Sequence, residues 1–408
     1  MNRTLALVFI FFAPLFSQSP WNEFLPLEKD SLLKALLEQK DKYKIQIMYT
    51  QINRYNVNDA DFKVYTFNLN NEKYWYPAST VKLPAAVFAF EKLNNLNKPG
   101  VTKYSPLEID SAYSGQTRVL WDSTAENNRP SIAHFAKKVF LVSDNDAHNR
   151  LFEFIGQREL LERLLRFGYR NSYIFTRLSV GASYEQNRHT NPFRFYEGDK
   201  MIYEQPAAYN PDTVIMPLKD LQQGKGYYSR GKLIEQPMDF SDKNYYGLDD
   251  QHYLMRRLFF PESFGSRYPL NLTEDDYRFL YSAMSMLPRE STYPKYAPYE
   301  KYWDGYVKFF MYGDTKDSIP DHIRIFNKVG LAYGYLTDNA YIIDTKNGVE
   351  FFLSATIYVN EDGIFNDDKY EYDSIGFPFL ARLGRYIYEY ELKREREVIP
   401  DFSRYLTK

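Results

Sequence analysis

Alternating apolar and polar positions predict a β-hairpin near the start of the chain. Residues 44–54 and 61–68 alternate in this way, and the stretch between them is rich in Asn and Asp, which favour turns. Before the hairpin, residues 27–39 place leucines on one side of a helix and Lys or Glu on the other. We therefore expect an amphipathic helix packed on a sheet.

The carboxy-terminal part returns to regular patterns. Residues 324–329, 340–344 and 349–359 are strand-like, and Asn347-Gly348 provides a turn between the last two segments. Residues 374–397 have the apolar spacing of a long closing helix. We therefore expect the two ends of the chain to share one sheet.

The middle of the chain is first helical and then irregular. Helical periodicity covers residues 131–142, 145–155 and 158–167, and it returns at 274–286 after a Thr-x-x-Asp capping pattern. Elsewhere between 169 and 321, Gly, Pro and Tyr recur without a sustained period. The predicted fold class is α/β of the α+β type, an antiparallel sheet flanked by helices with an inserted helical subdomain.

The first residues have the composition of an export signal. Arg3 supplies a positive charge, residues 6–16 form an apolar run, and the small residues Ser17 and Ser19 follow. Residues 1–19 are therefore predicted to be a signal peptide, and the mature protein is predicted to be secreted or periplasmic. An uncleaved anchor is the alternative.

The remaining chain is expected to fold as two connected parts. Residues 20–96 plus 322–408 would form a sheet-and-helix domain, and residues 97–321 an inserted helical subdomain with a long irregular insertion. No later stretch approaches the ~20 apolar residues that a transmembrane helix needs, so no stable membrane span is expected.

Composition excludes several kinds of function. The net charge is −2, with 51 basic and 53 acidic residues interspersed, so no basic surface for nucleic acid is indicated. The absence of Cys excludes disulfides, a thiol nucleophile and Cys-ligated metals, and the five His residues lack metal-ligand spacing. Aromatic residues reach 18%, which favours thick packed cores over stacking surfaces. We expect a monomer without a metal or other cofactor.

Ser79 and Lys82 are the first candidates for catalytic chemistry. Residues at i and i+3 share one face of a helix with Cβ atoms roughly 5–6 Å apart, so the lysine amine can reach the hydroxyl. Residues 83–93 read as a buried helix, and a helix N-terminus favours a developing oxyanion. The same spacing occurs at Ser31 and Lys34, in a segment where both are expected to be solvated, so the spacing alone does not identify a site.

Two further motifs have the chemistry of a polar cleft. Residues 143–145 (Ser-Asp-Asn) can direct the serine and the asparagine into a cleft while the aspartate caps a helix, and a simple capping cluster is the alternative. Residues 328–330 (Lys-Val-Gly) end a predicted strand, where the lysine can face the cleft and Gly330 allows a substrate backbone to approach closely.

The order of these motifs resembles the penicillin-recognising serine hydrolases, above all the class A β-lactamases. Ser-x-x-Lys at 79–82, Ser-Asp-Asn at 143–145 and Lys-x-Gly at 328–330 occur in the family's order, with fitting predicted secondary structure. The resemblance implies these roles, in chain order: acylated nucleophile for Ser79, base or proton relay for Lys82, proton shuttle for Ser143, donor to the substrate amide for Asn145, and electrostatic anchor for Lys328. It also implies an oxyanion hole formed by the backbone N–H groups of Ser79 and Leu331.

Three features depart from the family pattern. Val329 stands where the family has a hydroxyl residue that helps to hold the substrate carboxylate. Residues 176–178 resemble the start of the loop that carries the deacylating glutamate in class A enzymes, but residues 179–182 (Ser-Val-Gly-Ala) follow, and Glu185 is the nearest acidic candidate. A solvated pair with a neighbouring arginine is the alternative role for Glu185.

The extra length between 191 and 321 could build a lid, reshape the cleft or be surface elaboration.

Three functions are compatible with the sequence. The first is an exported serine hydrolase that is acylated at Ser79 by β-lactams and hydrolyses the resulting ester, slowly if no deacylating acid is present. The second is a peptidase or transpeptidase that acts on D-alanyl peptides of the cell wall. The third is a catalytically degenerate protein that keeps the scaffold and binds a glycan or a partner through its Tyr-rich insertion.

Overall fold

The computed structural model describes residues 20–56, 59–265 and 269–406. The predicted signal peptide at residues 1–19 lies outside these ranges. Strands within them are β1 (Gln46–Asn56), β2 (Asp59–Phe67), β3 (Leu107–Ile109), β4 (Ser172–Tyr173), β5 (Phe193–Glu197), β6 (Lys200–Gln205), β7 (Gln222–Gln223), β8 (Gly226–Ser229), β9 (Lys232–Ile234), β10 (Met238–Asp239), β11 (Tyr245–Tyr246), β12 (Ile323–Ala332), β13 (Tyr335–Asp344), β14 (Val349–Tyr358) and β15 (Ile364–Phe365).

The helices lie before, between and after these strands. They are α1 (Trp21–Phe24), α2 (Ser31–Glu38), α3 (Lys82–Leu96), α4 (Ile132–Val142), α5 (Asn145–Ile155), α6 (Gln157–Arg166), α7 (Tyr184–Asn187), α8 (Leu248–Phe259), α9 (Glu274–Ser285), α10 (Phe309–Tyr312) and α11 (Phe377–Lys393). Within the described ranges, no helix combines the length and the apolar character needed to span a lipid bilayer.

A five-stranded antiparallel sheet joins the two ends of the chain. Its strands lie in the order β12-β13-β14-β1-β2, so the first hairpin pairs directly with the last strand of the carboxy-terminal meander. The helices α3 to α10 and the small strands β3 to β11 are inserted between these two sets of strands. The predicted fold class, an antiparallel sheet with flanking helices and an inserted helical region, is confirmed.

Both faces of the sheet are covered by helices. On one face, Phe259 of α8 packs against Phe326 and Tyr341, with ring centroids 5.1 and 4.6 Å apart. On the other face, Leu33 of α2 and Ile387 of α11 belong to the same apolar cluster as the strand residues around them. Because both sides are covered, every residue of β13 is buried.

Part of the long insertion packs against the segment that precedes Ser79. Phe240 and Tyr245 share an apolar cluster with Trp75 and Tyr76. The ring centroids of Trp75 and Tyr245 are 6.1 Å apart, as are those of Tyr76 and Phe240. This part of the insertion therefore supports the entry to the Ser79 segment and is more than surface elaboration.

Several element boundaries differ from the sequence expectations; the helix expected at 27–39 is Ser31–Glu38, and the strand expected at 324–329 is Ile323–Ala332. The strand predicted at 340–344 begins five residues earlier, at Tyr335, and the helix predicted at 374–397 spans Phe377–Lys393 after one π-helical turn. Ser79 lies in a 3₁₀ turn, Ala78–Val81, that precedes α3. The alternation of apolar and polar residues does not predict the early start of β13, because polar residues of this strand are buried with hydrogen-bond partners. Asp338 is an example.

Asp338 ties β13 to the segment that carries α10. Its carboxylate accepts from the N–H groups of Phe309 and Phe310 at 3.0 and 3.1 Å and from Asn327 Nδ2 at 2.8 Å. Asn327 in turn accepts from the buried ammonium of Lys308 at 2.7 Å. Burial raises the pKa of Asp338 to about 6. This group is therefore held in place by three donors that have no access to water.

Replacing Asp338 should cost a large part of the protein's stability. Asp338→Ala leaves three buried donors without an acceptor and removes the negative charge near Lys308, so we expect the free energy of unfolding to fall by roughly 3–5 kcal/mol. Urea denaturation measures this change. Asp242→Ala, at an exposed position without a positive φ, is the control, and equal losses in the two variants would contradict the prediction.

Candidate active site

Ser79 is presented by a strained turn. Ala78, directly before it, has a φ of 48°, a left-handed value that residues with a Cβ rarely adopt. The turn is held by Thr80, whose N–H and hydroxyl both donate to Pro77 O, at 3.1 and 2.9 Å. Strained backbone of this kind persists where the surrounding structure fixes it, and it is concentrated at functional sites. Ser79 itself is half-buried.

Strand β12 lies directly against this turn at Gly330. A Cβ built on Gly330 would be 2.4 Å from Pro77 O and 3.2 Å from the Ser79 backbone nitrogen, so a side chain at this position would displace the turn. The close approach brings the predicted motif at 328–330 beside Ser79. Leu331 follows on the same strand. The N–H of Ser79 is in the first turn of its helix, where N–H groups lack intrahelical partners.

Lys82 connects the Ser79 turn to the start of α5. Its buried ammonium donates to the backbone oxygen of Ser143 at 2.5 Å, to Ser143 Oγ at 3.2 Å and to Asn145 Oδ1 at 2.6 Å. Among the described residues, Ser79 Oγ has no hydrogen-bond partner. The lysine is thus fully engaged by the Ser143 segment, and the Ser79 hydroxyl is left for a ligand.

Ser143 is shared by two lysines. Lys328 Nζ donates to Ser143 Oγ at 2.8 Å and to Val329 O at 2.9 Å, and Lys82 Nζ lies 3.2 Å from the same hydroxyl. Ser143 ends α4 in a left-handed conformation, with φ 57° and ψ 40°, and Asp144 then caps α5 by accepting from the N–H of Ala147 at 2.8 Å. The reversal between the two helices places this hydroxyl between the two ammonium groups.

The electrostatics of the site favour a neutral amine. Burial lowers the pKa of Lys82 to about 7, and the nearby carboxylate of Asp144 opposes that shift. Burial, followed by the positive charge of Lys82, holds the pKa of Lys328 well below its usual range. A lysine can act as a general base near neutral pH only when its pKa is depressed in this way.

Asn145 links Lys82 to a residue that the sequence did not identify as part of the site. Asn145 Nδ2 donates to Ser179 Oγ at 2.9 Å, and both side chains are exposed to solvent. Only its position in the sequence could have identified Ser179 as a site residue, because it stands in the loop where the family resemblance implies an acidic residue. The resemblance predicts a carboxylate at that place and gives no role to a hydroxyl.

The side chains of Glu185 and Val329 do not join this cluster. Glu185 accepts from Arg188 at 3.0 Å and lies 3.3 Å from His189 Nε2. Among the described residues it forms no hydrogen bond or ion pair with Lys82, Ser143 or Asn145. Val329 is buried in the apolar cluster on the sheet face opposite the Lys328 side chain, so it offers nothing to a substrate carboxylate.

His148 is buried one turn after Asn145. Its ring lies near Phe152, with centroids 6.3 Å apart. Burial and the charges of Lys82 and Lys328 hold its pKa well below the usual range, so it is neutral and fits a packing role. Within the described ranges, no group of three or more His, Asp and Glu side chains could hold a metal ion.

Comparisons with known proteins give one family match. A model of the β-lactamase enzyme family matches residues 29–225, a segment that includes the Ser79 and Ser143 motifs. A search of curated proteins gave no match.

Several solved structures are similar over most of the chain. The TLA-1 extended spectrum β-lactamase is 14% identical, covering 88% of this chain and 98% of its own, with a TM-score of 0.47. A representative class A β-lactamase from Bacteroides cellulosilyticus is 12% identical, with coverages of 89% and 98% and a TM-score of 0.49. PBP-A is 14% identical, with coverages of 88% and 95% and a TM-score of 0.48. The family match over residues 29–225, together with the three motifs in family order, supports a similarity of this chain to the β-lactamase-like serine hydrolases.

Proposed function

We propose that this protein is an exported, monomeric serine hydrolase that β-lactams acylate at Ser79, and that it hydrolyses the acyl-enzyme slowly. The observation that carries the proposal is the Ser143 hydroxyl shared by the buried ammonium groups of Lys82 and Lys328. The strained Ser79 turn lies beside this arrangement. Export rests on the sequence of residues 1–19.

Acylation would use each member of the cluster in turn. Ser79 Oγ attacks the lactam carbonyl carbon and its proton passes to the neutral amine of Lys82. Ser143 then donates a proton to the lactam nitrogen as the carbon–nitrogen bond breaks, and it regains a proton from Lys82. General base assistance contributes about 10²–10⁴ in rate. The N–H groups of Ser79 and Leu331 would stabilise the oxyanion, each by about 10²–10³.

The state of Lys82 fits this sequence of proton transfers. A charged ammonium can make the three donor contacts that Lys82 makes to Ser143 and Asn145. The neutral amine has two hydrogens and one lone pair, so one of these contacts must reverse or be released. The lone pair is then free to accept a proton.

The contact between Ser179 and Asn145 favours a second candidate function. Hydrolysis of an acyl-enzyme needs a base for the attacking water, and here a hydroxyl, Ser179 Oγ, contacts Asn145, while Glu185 is paired with Arg188 and His189. A D-alanyl-peptide transpeptidase or peptidase shares the acylation chemistry and transfers the acyl group to an amine or to water. Faster turnover of a D-alanyl-D-alanine peptide than of penicillin would favour this candidate.

Ser79 should be the residue labelled by penicillins. After incubation with a fluorescent penicillin, intact-mass spectrometry should find one adduct on the wild-type protein, and the adduct should persist after excess reagent is removed. Ser79→Ala should abolish it. Ser31→Ala, at the other Ser-x-x-Lys spacing, is the matched control and should label normally. An unlabelled wild-type protein with an intact fold, or a labelled Ser79→Ala variant, would rule the proposal out.

The acylation rate should increase with pH through about 7. Lys82 must be neutral to accept the proton of Ser79, and its pKa is lowered to about 7 by burial. Below that pH the rate should fall by about tenfold per unit, and Lys82→Arg should lose activity because guanidinium stays protonated. Stopped-flow measurement of acylation from pH 5 to 9 checks this. A rate that does not change over that range would contradict Lys82 as the base.

A further inference from the structure

We propose that Ser179 is a positioning residue, whose hydroxyl holds the Asn145 side-chain amide in the orientation that receives a substrate carbonyl. The inference rests on the proposed function and adds a residue that the family resemblance does not supply. Within the described residues, the hydrogen bond of the Ser179 hydroxyl is to Asn145, so its effect on the reaction would be exerted through Asn145.

The Asn145 amide is held at both ends. Its oxygen accepts from Lys82 Nζ at 2.6 Å, and its nitrogen donates to Ser179 Oγ at 2.9 Å. Two attachment points fix the plane of the amide, whereas one would leave it free to rotate about that contact. Because Nδ2 carries two hydrogens, one remains available to the cleft. Asn145 is exposed, so neighbouring side chains cannot supply this constraint by packing.

The chain that leads into Ser179 is fixed by side-chain hydrogen bonds. The φ of Ser179 is 59°, in the left-handed region. The preceding residue, Leu178, is clamped by Asn149, which accepts from its N–H at 2.8 Å and donates to its carbonyl at 2.9 Å. Arg177 is held by Glu153 at 2.7 Å. A non-glycine residue keeps such a conformation when its surroundings fix it, so the hydroxyl is a rigid acceptor.

The Ser179 hydroxyl does not serve as a helix cap. Within the described residues, the bond from Asn145 is the one hydrogen bond of Ser179 Oγ. The neighbouring helix α7 is capped by a different serine, Ser183, which forms a capping box with Gln186. Ser179 is therefore placed to serve Asn145 and not to cap the helix.

The test compares Ser179→Gly with Ser179→Asn. Glycine adopts the left-handed conformation without strain, so Ser179→Gly removes the hydroxyl while keeping the loop. Asparagine tolerates a positive φ and its side-chain oxygen can accept a hydrogen bond, so Ser179→Asn should restore part of the effect. Arg230→Gly is the matched control, because Arg230 also has a positive φ, of 50°, in an exposed turn between β8 and β9.

The kinetic readout separates positioning from a general loss of structure. Ser179→Gly should lower the second-order acylation rate for benzylpenicillin by about tenfold, the value of one well-placed hydrogen bond. It should leave the rate for 6-aminopenicillanic acid nearly unchanged, because that compound lacks the side-chain carbonyl that Asn145 would bind. Equal losses for the two compounds, or no loss for either, would overturn the inference.

A second readout needs no activity. In side-chain amide NMR spectra, the two Asn145 δ-protons should be distinct in the wild-type protein, and Ser179→Gly should shift one of them upfield and speed its exchange with water. Arg230→Gly should change neither. If penicillins fail to acylate the wild-type protein, the proposed function fails and the NMR result alone judges the positioning role. Unchanged Asn145 signals in Ser179→Gly would overturn that role.

Discussion

Two buried lysines that share one serine hydroxyl impose the main constraint on this structure. Burial disfavours the charged form of an amine, and it lowers the pKa values of both Lys82 and Lys328. The positive charge of Lys82 lowers the pKa of Lys328 further. The fold holds both side chains in place, and loss of a proton from one of them relieves the cost. In the proposed function, that loss would give the site a base at neutral pH.

The fold brings the required groups together from distant parts of the sequence. Lys82 begins a helix that follows the first hairpin, Ser143 lies at the reversal between two inserted helices, and Lys328 lies on the edge strand of the sheet. The first hairpin and the edge strand β12 belong to one sheet because β1 pairs with β14. The aromatic insertion contributes at a distance, since its packing on Trp75 and Tyr76 supports the strained turn at Ser79.

Much of this could be predicted from the sequence, because local patterns carry it. The first hairpin and helices α4 to α6 follow from periodicity, and the capping box at Thr273 is present as expected. The start of β13 could not be found in this way. Periodicity counts Asp338 as polar and therefore exposed, whereas its buried partners come from residues 308–310 and 327, which only the folded chain brings near.

In the candidate site, too, some features could be predicted from the sequence and others depend on the folded chain. The three motifs, and the contacts among Lys82, Ser143, Asn145 and Lys328, agree with expectations based on motif order. The contact of Ser179 with Asn145 could not be foreseen, because a serine in an irregular loop has no distinctive spacing. Glu185 is the nearest acidic residue in that part of the sequence, and its carboxylate is paired with Arg188 and His189 within its own loop, as the alternative role expected from the sequence has it for Arg188.

The protonation state of the two lysines is the most direct test of this account. NMR titration of protein labelled with ¹³C at the lysine ε-carbons, with Lys82→Arg and Lys328→Arg for assignment, reports each charge separately. The account predicts a midpoint near 7 for Lys82 and one well below 10.5 for Lys328. Cationic signals for both lysines that persist to pH ~10, as for exposed lysines, would contradict it.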